Sequence, residues 1–256
     1  MGLTKSNPKT SEPDWATAYR GVNKVPFYLH NIDDKVTNEV RALLEEYSKI
    51  PPAEVLKHTI IGRLQRGESY MDVGCFLGQD IRRLVFDGAI SDRLYAVDIV
   101  DHWNLGFEMF RDRDRLSAQY IESNLLDTSP RLQELRGSIN VVSITHVLHQ
   151  WGWDDQVKAL EQLVRLSSSN AMIVGFQVGT IGAKEQPITE LARSAAYWHD
   201  PASFHTMWEQ VSRQTGTVWA CTAVLKTWDE IGWNPSDVEY LGPDARVIQW
   251  VAERGK

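Results

Sequence analysis

The stretch YMDVGCFLGQDIRRL, residues 70–84, decides the fold. It opens on an apolar run, passes through a turn bearing Gly74 and Gly78, and ends in an amphipathic helical pattern. The run LYAVDI follows and carries Asp98, twenty residues after Gly78. Strand, glycine turn, helix and acid-tipped strand make a nucleotide-binding βαβ unit, in which glycines let the backbone approach the ligand and the acid accepts from ribose hydroxyls. The spacing is a variant. A pyrophosphate cradle uses G-x-G-x-x-G, whereas this turn reads Asp72-x-Gly74-x-Phe76-x-Gly78, with Phe76 in place of the middle glycine. A carboxylate two residues before the first glycine suits a ligand that carries an ammonium group rather than phosphates.

Outward from this unit the alternation continues. Residues 69–73, 94–98, 119–122, 139–145 and 171–178 read as strands, with helices over 80–86, 105–117 and 154–166. The RDRDR run inside the second helix reads as a solvated face. Strands alternating with helices imply a mostly parallel, doubly wound α/β sheet with right-handed crossovers. After Gly179 the alternation stops. Residues 185–198 and 201–214 read as helical, and two β-rich runs, 217–228 and 246–253, close the chain. The stretch 182–214 is then a cap insert over the ligand-binding edge. Upstream, residues 33–47 carry a helical stripe, and Pro51-Pro52 opens another helix that ends near Gly67. The expected organisation is an N-terminal helical lid region, 1–67, and a core, 68–256.

With 256 residues, 43% hydrophobic and 24% charged, the chain has the composition of an ordinary globular protein. A net charge of −7 without a Lys/Arg cluster argues against nucleic acid as partner. No apolar run reaches the length of a membrane span, and no signal-peptide core is visible, so a cytoplasmic setting is expected. Cys75 and Cys221 do not make a disulfide scaffold. A homodimer is the expectation from base rates. Ten tryptophans stand out, six of them from Trp198 to Trp250. They serve either the core or a pocket for a bulky apolar substrate.

Ligands of an open α/β sheet bind beyond the carboxyl ends of the strands. There lie Asp72, Gly74, Gly78 and Gln79, then Asp98 and Ile99, then Asn124 and Leu125, and finally His146, His149 and Trp151. Asp98 suits ribose hydroxyls, Asn124 an adenine edge, and Leu125 the face of the ring. His149 is a general base, a structural hydrogen-bonding residue, or a donor that orients a carboxylate. His146 is the second catalytic candidate. Tyr28, His30, Tyr47, Trp151, Gln177 and Trp198 are candidates for the substrate wall. The histidine spacings match no zinc pattern, so no metal is expected. A nucleophile elbow and a P-loop are absent.

The chain resembles the class I S-adenosylmethionine (SAM) methyltransferases of fungal meroterpenoid and polyketide clusters, the type acting in the andrastin and austinol pathways. The resemblance rests on VPFYLHNIDDKV, LLEEYSKIPPAEVLKH, DVGCFLGQDIRRLVFDGA, LYAVDI, LHQWGWDDQ, GFQVG and FHTMWEQVSRQTGTVW, and runs from Tyr19 to about Trp219. It implies a Rossmann-like fold whose last strand is antiparallel, SAM as cofactor, and a small-molecule acceptor; members of this group esterify carboxyl groups of terpenoid intermediates. There are departures. The chain is shorter between His58 and Tyr70, where relatives carry a further segment; the turn reads Cys75-Phe76-Leu77 where relatives resemble Cys-Cys-Phe; and Asn124 stands where an acid is common. They point to another acceptor or another reaction. The leading expectation is methyl transfer to a carboxyl or hydroxyl oxygen of a bulky apolar metabolite such as a terpenoid. The alternatives are cyclisation or rearrangement of such a metabolite on the same fold, and a non-catalytic partner protein.

Overall fold

The computed structural model describes residues 54–127, 129–186 and 195–255. The expectations for the segments before residue 54, including Tyr28, His30 and Tyr47, lie outside the described residues. A first helix, α1 (Glu54–Gln65), leads into β1 (Tyr70–Val73), α2 (Gln79–Phe86), β2 (Leu94–Asp98), α3 (Trp103–Phe110) and β3 (Gln119–Glu122). A short α4 (Pro130–Gln133), β4 (Ile139–Ile144), α5 (Trp153–Leu166) and the long β5 (Ser167–Thr180) follow. The chain closes with β6 (Lys184–Gln186), β7 (Ala196–Trp198), α6 (Pro201–Thr215), β8 (Trp219–Lys226) and β9 (Ala245–Arg254).

Seven strands form one sheet in the order β3-β2-β1-β4-β5-β9-β8. The first five run parallel, and β9 is antiparallel to both β5 and β8. Strands covered on both faces are largely apolar, and β4 shows it: Ile139, Val141, Val142 and Ile144 are fully buried, with only Asn140 and Ser143 polar and half-buried. Helices cover both faces. Ile60 and Leu64 of α1, Ile81 and Leu84 of α2 and Trp103 of α3 pack with Tyr70, Ala96, Val141 and Met172. On the other face α5 and α6 pack with Val142, Ile144, Ile173 and Trp250. Val73 is in register with both Val97 and Ile144. The turns after β1, β2 and β4 therefore open at one edge of the sheet. Among the described residues, no helix is long and apolar enough to cross a membrane.

Three expectations need correction. First, α3 stops at Phe110, because Arg111 turns left-handed at φ 50. The RDRDR run is therefore a turn beyond the helix, and Asp112 is paired inward rather than solvated. Second, residues 185–198 are not one helix. Lys184–Gln186 and Ala196–Trp198 pair as an antiparallel ribbon, with Lys184 opposite Trp198. Third, α6 does not cap the ligand edge. Phe204, Met207, Trp208 and Val211 recur at helical spacing and are buried in the main core beside α5. Two 3-10 turns, Asp229–Ile231 and Pro235–Leu241, occupy the β8–β9 connection, which the sequence had left unassigned.

Candidate functional site

The turn after β1 is built from left-handed backbone. Gly74 has φ 79, Phe76 φ 48 and Gly78 φ 71. A Cβ at Gly74 would meet Val147, and one at Gly78 would collide with the Trp103 ring. The glycines are required by backbone conformation and by the chain's own packing, where the sequence reading credited ligand clearance alone. Two amides, of Gly74 and Cys75, donate to the Val97 carbonyl at 2.8 and 3.2 Å and tie the turn to β2. The next amide, of Phe76, donates to Asp98 Oδ2 at 2.8 Å, and Val100 N–H donates to Oδ1 at 3.3 Å. Asp98 is thereby fixed at the tip of β2, beside the turn.

Asp72 lies inside β1 and is 3% exposed. Its Oδ2 is buried without a hydrogen-bond partner. Burial, with added repulsion from Asp80 and Asp98, holds its carboxyl well above the usual carboxylate range. A cationic group brought to this carboxylate would reverse that penalty. Around the same edge Phe76 and Ile99 remain 50% and 44% exposed, large apolar surfaces that a planar ring would cover. Gln79 is exposed at the start of α2. Exposed Asn124 accepts Leu126 N–H on Oδ1 at 3.0 Å, which settles its side chain in a turn. Leu125 is a correction: it is 4% exposed and packs in the core with Val97 and Ile121, so it offers no face to a ligand. An unpartnered buried carboxylate, a fixed strand-end acid and flanking apolar surface fit SAM, with its ammonium, ribose and adenine.

The turn after β4 supplies the histidines. His146 adopts φ 55, and its N–H donates to the Phe176 carbonyl at 2.9 Å, which docks the turn on β5. Its ring lies 4.7 Å from Phe176, 5.7 Å from Trp233 and 6.0 Å from His149. Trp233 in turn stands 5.7 Å from Trp228. His146 Nε2 and His149 Nδ1 are buried without partners. Burial lowers the His146 pKa, and burial with the neighbouring His146 takes His149 down to about 3. Both rings are neutral at physiological pH. With so low a pKa His149 is a poor proton abstractor, which disfavours the general-base role for that ring and leaves it hydrogen bonding.

The substrate-wall candidates divide. Trp198 packs against the buried cluster of Val178, Trp228 and Val247. Trp151 is half-buried, and its carbonyl accepts from Tyr197 N–H and Gln156 Nε2, both at 2.9 Å, holding β7 against the histidine turn. Gln177 is fully buried, with both amide atoms unpartnered; strand alternation sends it to the face of its partner Ile248, while Phe176 takes the histidine side. Phe176, Trp228 and Trp233 join the site without being among the residues the sequence singles out. The parity of GFQVG, with Gly175 and Gly179 sharing the Gln177 face, was the signal for Phe176. Nothing local in the sequence placed the two tryptophans.

No family model matches the chain. A curated relative, the asnovolin E/chermesin D methyltransferase of Aspergillus novofumigatus, is 30% identical over 225 residues, covering 72% of this chain and 80% of its own. An O-methyltransferase named phiE, from a fungal species, is 29% identical over 249 residues and 81% of each chain. Among solved structures, 1,6-didemethyltoxoflavin N1-methyltransferase of Burkholderia thailandensis, with S-adenosylhomocysteine bound, aligns with a TM-score of 0.57 at 12% identity, over 100% of this chain and 94% of that one. The [4+2]-cyclase SpnF aligns with a TM-score of 0.52 at 10% identity, over 76% and 79%. Those structural likenesses speak for the fold, and the fungal relatives for the lineage: the chain belongs to the class I methyltransferases of the fungal biosynthetic-cluster type.

Proposed function

We propose that this methyltransferase uses SAM to methylate an oxygen of a bulky, largely apolar metabolite, with a carboxylate as the favoured acceptor. The observation that carries the reading is the single sheet edge that holds both halves: Asp72 and Asp98 around the glycine turn, and His146 with Phe176 and Trp233 after β4. When bound, SAM supplies an electrophilic sulfonium methyl. Asp72 receives its ammonium group, Asp98 its ribose hydroxyls, and Phe76, Ile99 and Asn124 border the adenine. The protein's share of the chemistry is alignment and exclusion of water. Neutral His146 and His149 hydrogen-bond the acceptor and orient it, while Phe176, Trp198, Trp228 and Trp233 cover its apolar body. An acceptor that is already ionised needs no base, in keeping with the low His149 pKa. The relatives' printed names, an O-methyltransferase and an asnovolin E/chermesin D methyltransferase, support an oxygen acceptor and a metabolite substrate.

The test is label transfer from methyl-labelled SAM to a panel of terpenoid and polyketide acids and phenols. The expected product is a methyl ester whose label is released as methanol by alkali, with no transfer by an Asp98→Ala variant. Label that resists alkali would move the acceptor from carboxyl to hydroxyl. Substrate consumed without label would favour the cyclase alternative, whose fold precedent is SpnF.

A further inference from the structure

Behind the glycine turn lies a nearly buried arginine that no step above uses. Arg82, on the first turns of α2, forks onto Asp112: Nε donates to Oδ2 at 2.7 Å and Nη2 to Oδ1 at 3.1 Å. Its side chain is 8% exposed and that of Asp112 14%. The remaining terminal nitrogen, Nη1, donates to the Leu77 carbonyl inside the turn and, at 3.4 Å, to the Gly78 carbonyl. Its guanidinium carbon lies 5.1 Å from the Trp103 ring, 5.4 Å from Phe107 and 4.7 Å from Phe110, all on α3. Helix α3 is cut away to admit the contact, since a Cβ at Gly106 would collide with the Leu77 carbonyl. One cation therefore clamps three separate segments: the glycine turn, α3, and the loop beyond it.

We propose that Arg82, aligned by Asp112, is a positioning residue that sets affinity for the cofactor. The inference rests on the glycine turn and Asp98 being the cofactor pocket. The two walls of that pocket come from different connections, one after β1 and one after β2. Contact between them at the front is the Phe76 amide on Asp98. At the back it is Arg82. The fork geometry matters: a guanidinium serves a carboxylate with two donors and still has a third for the Leu77 carbonyl, while its flat faces meet the α3 rings. An ammonium cannot do all three. Asp112 comes from the RDRDR run, so the charge pattern has a structural purpose at this position.

The test is titration calorimetry with S-adenosylhomocysteine, alongside thermal unfolding. Arg82→Lys and Asp112→Asn should each bind about tenfold more weakly, as coupled neighbours do, with small losses of melting temperature. Asp112→Glu, which keeps the fork, should restore near wild-type affinity. A control is the half-buried pair Arg63–Glu68, at 2.6 Å between α1 and the loop after it: Glu68→Gln should lower the melting temperature and leave affinity unchanged. Wild-type affinity in Arg82→Lys and Asp112→Asn overturns the proposal. So does equal weakening by Glu68→Gln, which would mean general softening. Should Arg82→Lys fail to fold, the Asp112 variants carry the test. Asp98→Ala separates the two layers: if it abolishes binding while the Arg82 and Asp112 variants do not, the pocket stands and the clamp falls. If it binds normally, the pocket reading itself fails.

Discussion

On the proposed reading, Asp72 sets stability against ligand binding within one side chain. Its raised pKa means that the folded chain holds the proton longer than the unfolded chain does. As pH rises through the folded value, the carboxylate ionises without a partner, and stability is lost. Asp72→Asn removes that loss. We expect it to raise the unliganded melting temperature by about 2–4 °C, the shift that about 1 kcal/mol gives in a chain of this size. It should also weaken S-adenosylhomocysteine binding about tenfold, because a charge-assisted hydrogen bond to the ammonium disappears. Thermal unfolding without and with ligand reads both effects; a lower unliganded melting temperature would sink the account of Asp72 as an uncompensated charge. The histidines give a second prediction at this scale. His149, with a pKa of about 3, does not titrate between pH 6 and 8. With a carboxylic acid as acceptor, the rate at saturating SAM should be flat across that range, and a step near pH 6.5 would restore the general base.

Among the elements, α6 shows why a pattern of residues outranks an expected role. Its buried stripe of Phe204, Met207, Trp208 and Val211 makes it a layer of the core. Phe204→Ala should therefore cost about 3–5 kcal/mol of stability, the range for large aromatic truncations in a core. Denaturant unfolding measures it, and a loss below about 1 kcal/mol would mean that α6 behaves as a detachable cap. The inner strands were legible for the reason α6 was partly so: doubly buried β-runs are nearly continuous apolar words, and β2 has the bounds its sequence spells. The end of α3 was not legible, because Arg111, with no glycine to mark it, takes the left-handed turn. Site residues divide the same way. Asp72 and Asp98 lie within one βαβ unit, so their neighbourhood follows from local order. Trp233, backed by Trp228, reaches His146 through long-range pairing: Lys226 and Val247 are in register on β8 and β9, and Val247 meets Val178 on β5. That register delivers the β8–β9 connection to the ligand edge, and no spacing in the chain announces it.

For the molecule as a whole, buried neutral histidines set the response to acid. Burial lowers His146, takes His149 to about 3 and takes His199 to about 4. His199 is fully buried among aromatic rings, 4.8 Å from Tyr197, 5.4 Å from Trp153 and 5.3 Å from Phe204, with Nδ1 3.0 Å from Ser203 Oγ. In each case the folded pKa is below the ordinary 6.5, so the neutral form is the folded form. The contribution to stability is full above pH 6.5 and is lost as pH falls from there toward the folded values, because the unfolded chain takes the proton first. Each histidine contributes a slope of at most about 1.4 kcal/mol per pH unit in that window. Asp72 and Asp80 act in the opposite direction, since burial makes the protonated form of each the one the fold prefers. The three histidines outnumber them, so the urea midpoint should hold from pH 8 to 7 and fall between pH 6.5 and 4.5. His199→Gln keeps a polar group near Ser203 and removes one titration. Its midpoint should fall less than the wild type between pH 7.5 and 5, whatever its stability at neutral pH. Parallel curves for the two proteins would mean that His199 titrates at its ordinary value and that the aromatic cage around it opens to water well before the chain unfolds.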